Sequence, residues 1–168
     1  RASKKNNIII TAGGASVGDE DHLINALSSL GNIFFWRAAI KPGRPIAVGK
    51  INNCYVICLP GNPVSVQLLY AMLIKPLVEK LSGGKFKLPN SKKIIANFSM
   101  KKKTQRMEWL RITKKTMNNQ DVANKYPKQG SGMISSVSYS DGIIEIDEDV
   151  SEIKKGDIFN YYDFETLF

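Results

Sequence analysis

The chain has 168 residues, 43% of them hydrophobic, with a formal net charge of +9. That is enough apolar material for one sizeable core or two small ones, and no apolar run approaches the roughly 20 residues needed to cross a bilayer. The opening stub, RASKKNN, has neither the apolar segment nor the cleavage site of a secretory leader, so the expectation is a cytoplasmic protein without a membrane partner.

In chain order, the β-branched run Ile8-Ile9-Ile10 predicts a strand that ends in a glycine-rich loop, TAGGASVG. DHLINALSSL predicts a helix with Leu23, Leu27 and Leu30 on one face and Gly31 as its stop. NIFFWRAAI predicts a buried-type strand, followed by a KPGRP turn and by two further apolar strands, IAVG and CYVICL, around a turn-like INN. Cys54 and Cys58 fit neither a CxxC redox pair nor a metal-ligand spacing. On a strand they point to one face, as small buried apolar residues. PGNP then opens a long amphipathic helix from Val64 to Leu81, with Pro63 in its first turn and Gly83-Gly84 at its end. Strands alternating with helices predict a parallel α/β sheet covered on both faces.

After KFKLPN the texture changes. From Lys92 to Phe168 the apolar residues fall in short alternating runs (KIIANFSM, MEWLRIT, GIIEID, DIFNYY), which predict an all-β module, a small barrel of five or six strands. The boundary is expected near residues 83 to 91. The chain opens directly on a strand and its loop, without the earlier βαβ units of a doubly wound sheet, and is read here as a fragment of a longer protein.

Three loops fall where α/β sheets bind ligands, at the carboxyl ends of strands. In Thr11-Ala12-Gly13-Gly14-Ala15-Ser16-Val17-Gly18 the glycines permit a tight turn with exposed N–H groups, which suits a phosphate or is simply a strand-to-helix turn. Asp19, Glu20 and Asp21 either cap the following helix or supply a carboxylate for a hard cation such as Mg²⁺. His22, the sole histidine, has no second histidine or nucleophilic cysteine beside it in the sequence and reads as a helix-surface or packing residue. The second loop carries Arg37, Lys41 and Arg44, with Pro42 and Gly43 stiffening the backbone between the last two: a rigid oxyanion clamp, or a solvated turn. The third, Leu59-Pro60-Gly61-Asn62-Pro63-Val64-Ser65, is stiff enough for a preorganised wall or an anion seat at a helix N-terminus. The cationic excess agrees with an anionic partner, a phosphorylated small molecule or nucleic acid, and equally with a Lys- and Asn-rich composition.

Taken together, TAGGASVGDED, FFWRAAIKPGRPIAVGK and LPGNPVSVQLLY resemble the molybdopterin molybdenumtransferase family, MoeA and the E domain of gephyrin, across residues 8 to 84. A looser likeness runs on through QRMEWLR and KQGSGMISSVSYSDGIIEID. The resemblance implies part of a MogA-like, three-layer α/β domain over residues 1–84 and a small β-barrel, the family's fourth domain, over 85–168. It implies molybdenum cofactor synthesis: adenylated molybdopterin and molybdate are taken, with Mg²⁺, and molybdenum cofactor and AMP result. Carried over by position, Gly13, Gly14, Ser16 and Gly18 would line the pterin-phosphate site, and Asp21 would act as loop acid and metal ligand. Arg37, Lys41 and Arg106 would join Asp21 as the catalytic set. Pro42, Gly43, Arg44, Pro60, Gly61, Asn62, Pro63 and Ser65 would bind substrate. Arg37 stands where many relatives have lysine, and Ala12 where serine is usual, so a hydroxyl contact there is lost.

The family also implies a homodimer and a molybdopterin adenylyltransferase as partner. Two alternatives stay open at this point. One is adenylylation of molybdopterin by a relative that lacks the C-terminal barrel; the other is a non-catalytic scaffold of the gephyrin type. Nucleic-acid binding is disfavoured, because Phe98, Trp109, Phe159, Tyr161 and Tyr162 lie in apolar-patterned strands.

Overall fold

The computed structural model describes residues 1–14 and 22–168. After a short 3-10 turn (Ala2–Lys4), the first half contributes β1 (Ile8–Ala12), α1 (His22–Leu30), β2 (Asn32–Trp36), β3 (Ile40–Lys41), β4 (Ala47–Ile51) and β5 (Cys54–Leu59). A continuous helical segment follows: α2 (Pro63–Leu69), a π-helical turn (Tyr70–Ile74) and α3 (Lys75–Leu81). The four-stranded sheet has the order β1-β5-β4-β2.

Within that sheet only β1 and β5 pair in parallel. β4 runs antiparallel to both β5 and β2, so the sheet is mixed rather than parallel as expected. The reason is the link between β4 and β5. Asn52-Asn53 is a two-residue turn with Asn52 at a φ of 53°, and a link this short joins only antiparallel strands.

Alternation along the strands loads both faces. Val56 and Cys58 meet Ala47, Ile24 and Leu27 beneath α1, whereas Ile57 and Leu59 face Val64, Leu68 and Leu69 of α2. Cys54 and Cys58 are both fully buried free thiols, as expected. Leu23 and Leu27 of α1 pack inward and Leu30 does not, being 66% exposed.

NIFFWRAAI departs from the expected single buried strand. It is divided between two sheets. β2 is an edge strand that leaves Phe34, Phe35 and Trp36 exposed; Arg37 takes a φ of 68° and ends it; and β3 then pairs in parallel with a strand of the C-terminal half.

The π-helical turn has a local cause. Pro76 lacks an N–H and its ring would strike the carbonyl four residues earlier. One residue before it, Lys75 N–H reaches back five residues to Tyr70 O, and this wider turn relieves the clash. The helix ends as expected, with Gly83 at a φ of +92°, Gly84 N–H donating to Glu79 O and Gly83 N–H to Lys80 O.

The second half is β-rich: β6 (Lys92–Ala96), β7 (Met100–Lys101), β8 (Met107–Met117), β9 (Gln120–Lys125), a turn of helix α4 (Ser135–Ser138), β10 (Gly142–Ile146), β11 (Glu152–Ile153), β12 (Ile158–Asp163) and α5 (Phe164–Leu167). Strands β10, β12, β6, β9 and β8 close into a barrel through the additional β10–β8 pairing. Its interior holds Ile94, Ala96, Leu110, Ile112, Ala123, Ile144, Ile146 and Tyr161. Trp109, Ile143 and Leu167 instead join the core beneath α2, so the two halves share one apolar cluster. Among the described residues no helix is long and apolar enough to cross a membrane.

Candidate functional site

Because β1 and β5 run parallel, the loops that follow them emerge side by side. Gly13 N–H donates to Leu59 O at 3.0 Å, and a Cβ on Gly61 would lie 3.7 Å from Gly13 Cα. Gly13 and Gly14 have φ of +93° and +72°, conformations that a side chain would strain. Ser16, Gly18 and the acids Asp19, Glu20 and Asp21 lie outside the described residues.

The KPGRP turn is fixed from both sides. Arg37 N–H donates to Ile46 O and Ala38 N–H to Arg44 O, at 2.9 and 3.0 Å, which closes the base of the loop. The Lys41–Pro42 peptide is cis, and Gly43, at a φ of +114°, lies against Leu69 of α2, where a Cβ would come within 3.0 Å. The buried Pro42-Gly43 pair thus seats the turn on the helix and leaves Arg44 exposed. Arg37 stacks 4.5 Å above the ring of Trp36. Lys41 Nζ donates to Glu108 Oε1 at 2.7 Å.

Two adjoining clefts, each of about 320 Å³, flank this turn. One is bordered by Arg37, Arg44, Lys103 and Arg106, the other by Lys41, Arg44, Asn62, Ser65, Arg106 and Gln129 to Ser131. Arg44, Arg106 and Ile40 belong to both. Among the described residues no Asp or Glu lines either one; Glu108, which pairs with Lys41, lies behind the wall. Among the described residues, Arg106 Nε is buried without a hydrogen-bond partner.

Asn62 is the N-cap residue of α2 yet makes no capping hydrogen bond with its side chain, which contributes to the cleft wall. Pro60, Gly61 and Pro63 shape the loop without lining either cleft, and neither lining includes Gly13 or Gly14. The start of α2 is a poorer anion seat than expected. Pro63 has no N–H, and Val64 N–H is already donated to Ser131 O at 3.2 Å.

The fold therefore brings Arg37, Lys41, Pro42, Gly43, Arg44, Asn62, Ser65 and Arg106 to one place. Sequence reasoning did not single out Lys103, Gln129, Gly130 or Ser131. The available signal for the last three was KQGSG, a glycine-punctuated stretch after a strand. Among the described residues no three His, Cys, Asp or Glu side chains gather into a set that would hold a metal ion, and the clefts are walled by cations instead.

Residues 1–80 match the family described as "Probable molybdopterin binding domain", and residues 93–164 match "MoeA C-terminal region (domain IV)". The chain belongs to the MoeA family. Among its relatives, the molybdopterin molybdenumtransferase of Haemophilus influenzae is 33% identical over 99% of this MoeA-family chain and 42% of its own length. A putative molybdopterin biosynthesis protein of Methanocaldococcus jannaschii is 28% identical over 96% of this chain and 37% of its own. Gephyrin of Dictyostelium discoideum is 34% identical over 48% of this chain and 14% of its own. The solved MoeA molybdopterin biosynthesis protein of Pyrococcus horikoshii shares the fold, with a TM-score of 0.73 at 24% identity over 97% of this chain and 38% of that one. This MoeA-family chain thus spans less than half the length of these relatives.

Proposed function

We propose that this chain forms part of a molybdopterin molybdenumtransferase, which takes adenylated molybdopterin and molybdate and yields molybdenum cofactor and AMP. One observation carries the reading: adjoining clefts that share Arg44 and Arg106 and are bordered by Arg37, Lys41 and Lys103, with no carboxylate from the described residues in either wall. Molybdate and a pyrophosphate-linked nucleotide are both anions and repel each other as they approach. Two unit charges 4 Å apart at an effective dielectric of 20 interact by about 4 kcal/mol, and cations fixed between them offset a repulsion of that size.

Arg106 borders both clefts, so its guanidinium would hold one anion against the other. Arg44, exposed on a turn wedged against α2, borders both clefts and would do the same. Lys41 has three N–H donors and directs one to Glu108, leaving two for an oxyanion. Asn62 and Ser65 add neutral polar contacts. The described residues form no carboxylate set for Mg²⁺, and a metal role for Asp21 stays part of the proposal, as do the homodimer and the adenylyltransferase partner.

The preceding reaction, adenylylation, is disfavoured by the MoeA C-terminal region, which supplies Arg106 to both clefts. The aromatic side chains that would form a nucleic-acid stacking platform are used in packing: Trp109 and Tyr161 are buried, and Phe98 and Phe159 lie against the barrel core.

Calorimetric titration of adenylated molybdopterin and of molybdate into this chain and into an Arg44→Ala, Arg106→Ala double variant tests the reading. Binding by the wild type that falls at least tenfold in the folded variant is the expected result. Equal affinity of the two proteins, or no binding by a folded wild type, would sink it.

A further inference from the structure

Gln129 sits in the loop that leaves β9 and spends its whole carboxamide on the backbone. Its Nε2 donates to Arg111 O and to Tyr126 O, each at 2.8 Å, and its Oε1 accepts from Arg111 N–H at 3.1 Å. The pair of bonds to Arg111 is what a neighbouring strand residue would supply, made here by a side chain, and the third bond closes the loop on itself. Immediately after Gln129 come Gly130 and Ser131, which line the second cleft. Ser131 O accepts from Val64 N–H in the first turn of α2, a backbone bond that ties this barrel loop to the helix carrying Ser65. The cleft wall therefore crosses from one half of the chain to the other, held by the Gln129 carboxamide and by a longer bond, 3.5 Å, from the Arg111 guanidinium to Gly130 O.

We infer that Gln129 is a positioning residue for the anion cleft: its carboxamide fixes Gly130 and Ser131, and through Ser131 the start of α2, at the spacing the bound anion requires. The inference rests on the anion-binding reading of the cleft. Loss of the clamp leaves the barrel strands paired and acts on the wall alone, because Arg111 keeps its place in β8 between the barrel partners Ile143 and Tyr126.

The test uses Gln129→Glu, with Gln129→Asn as a neutral, shorter second variant should the first fail to fold. An ionised carboxylate at this position only accepts and would face two carbonyl oxygens; protonated, it regains one donor. Inorganic pyrophosphate is the probe, titrated by calorimetry at pH 7.5 and pH 5, with amide exchange of Val64 followed by NMR. The expected result is a roughly tenfold weaker affinity of the glutamate variant relative to wild type at pH 7.5, as for a buried hydrogen-bonding group left unmatched. The ratio recovers at pH 5, and Val64 exchange is faster at pH 7.5 while the unfolding midpoint of the barrel is nearly unchanged.

Unchanged affinity together with unchanged Val64 exchange would overturn the inference. A wild type that does not bind pyrophosphate would instead count against the anion-binding reading, and the exchange measurement would still decide whether Gln129 holds the wall.

Discussion

Lys41 Nζ lies 2.7 Å from Glu108 Oε1, and the two residues are register partners where β3 pairs in parallel with β8. The Glu108 side chain is 5% exposed and that of Lys41 40%, so the pair joins a buried carboxylate to a cation that still reaches the cleft. This ion pair also ties the KPGRP turn to the barrel. Lys41→Met should leave the buried carboxylate without its salt-bridge partner, with only the more distant Arg111 charge nearby, and lower stability by about 1–3 kcal/mol. Glu108→Gln, which keeps the shape and removes the charge, should cost less. Urea unfolding of both variants checks the order, and a larger loss for the glutamine variant would contradict it.

Arg106 is common to both clefts, whereas Arg37 borders one and stacks on Trp36. Arg106→Ala is therefore expected to weaken molybdate and pyrophosphate together, by about tenfold or more each, as for lost charge-assisted hydrogen bonds. Arg37→Ala should weaken one of them more than the other. Titration of both anions into both variants separates the cases, and a selective effect of Arg106→Ala would contradict its shared position.

Gly142 opens β10 at the seam where the barrel closes. A Cβ there would run into the Tyr162 carbonyl and the Tyr161 ring. Gly142→Ala should cost about 2–4 kcal/mol, since a backbone carbonyl and a packed ring must both shift. Thermal and urea unfolding measure it, and a cost within a few tenths of a kcal/mol would show that the seam yields.

Burial, reinforced by neighbouring carboxylates, raises the pKa of Tyr161, which donates to Asp141 O, and pushes that of Tyr162, which donates to Glu145, up to about 12. Above pH ~10 unfolded tyrosines ionise while these two keep their protons, so their contribution to stability is full below about pH 10 and is lost as the pH rises towards 12. Arg111, pushed down to about 10 by burial, acts in the opposite direction. Comparison of Tyr162→Phe with wild type isolates the tyrosine: the variant's stability should fall less steeply between pH ~9.5 and ~11. Parallel curves from denaturant melts across that range would refute the assignment.

Much of the architecture was legible because local chemistry and burial agreed. Pro63 and Gly83-Gly84 mark the ends of the long helix, and short alternating runs mark the barrel strands. Where partners far along the chain decide the outcome, the sequence was silent. Nothing in NIFFWRAAI shows that its last residues pair with β8, far along the chain, or that its aromatic residues lie on a sheet edge. The long helix read as regular because its apolar period continues through Pro76, and only the backbone shows the wider turn. At the site, the cations of KPGRP announced themselves through the stiffness around them, but Gln129 is a neutral residue whose role depends on strand β8 being beside it.

The apolar cluster shared by α2, Trp109, Ile143 and Leu167 gives the molecule no cleavage plane. The change of texture near residues 83–91 separates two patterns of sequence, yet cutting the chain there would bare Trp109 on one piece and the underside of α2 on the other. Each piece expressed alone would present a greasy face to its own copies. The practical unit for engineering or crystallising this region is thus the pair.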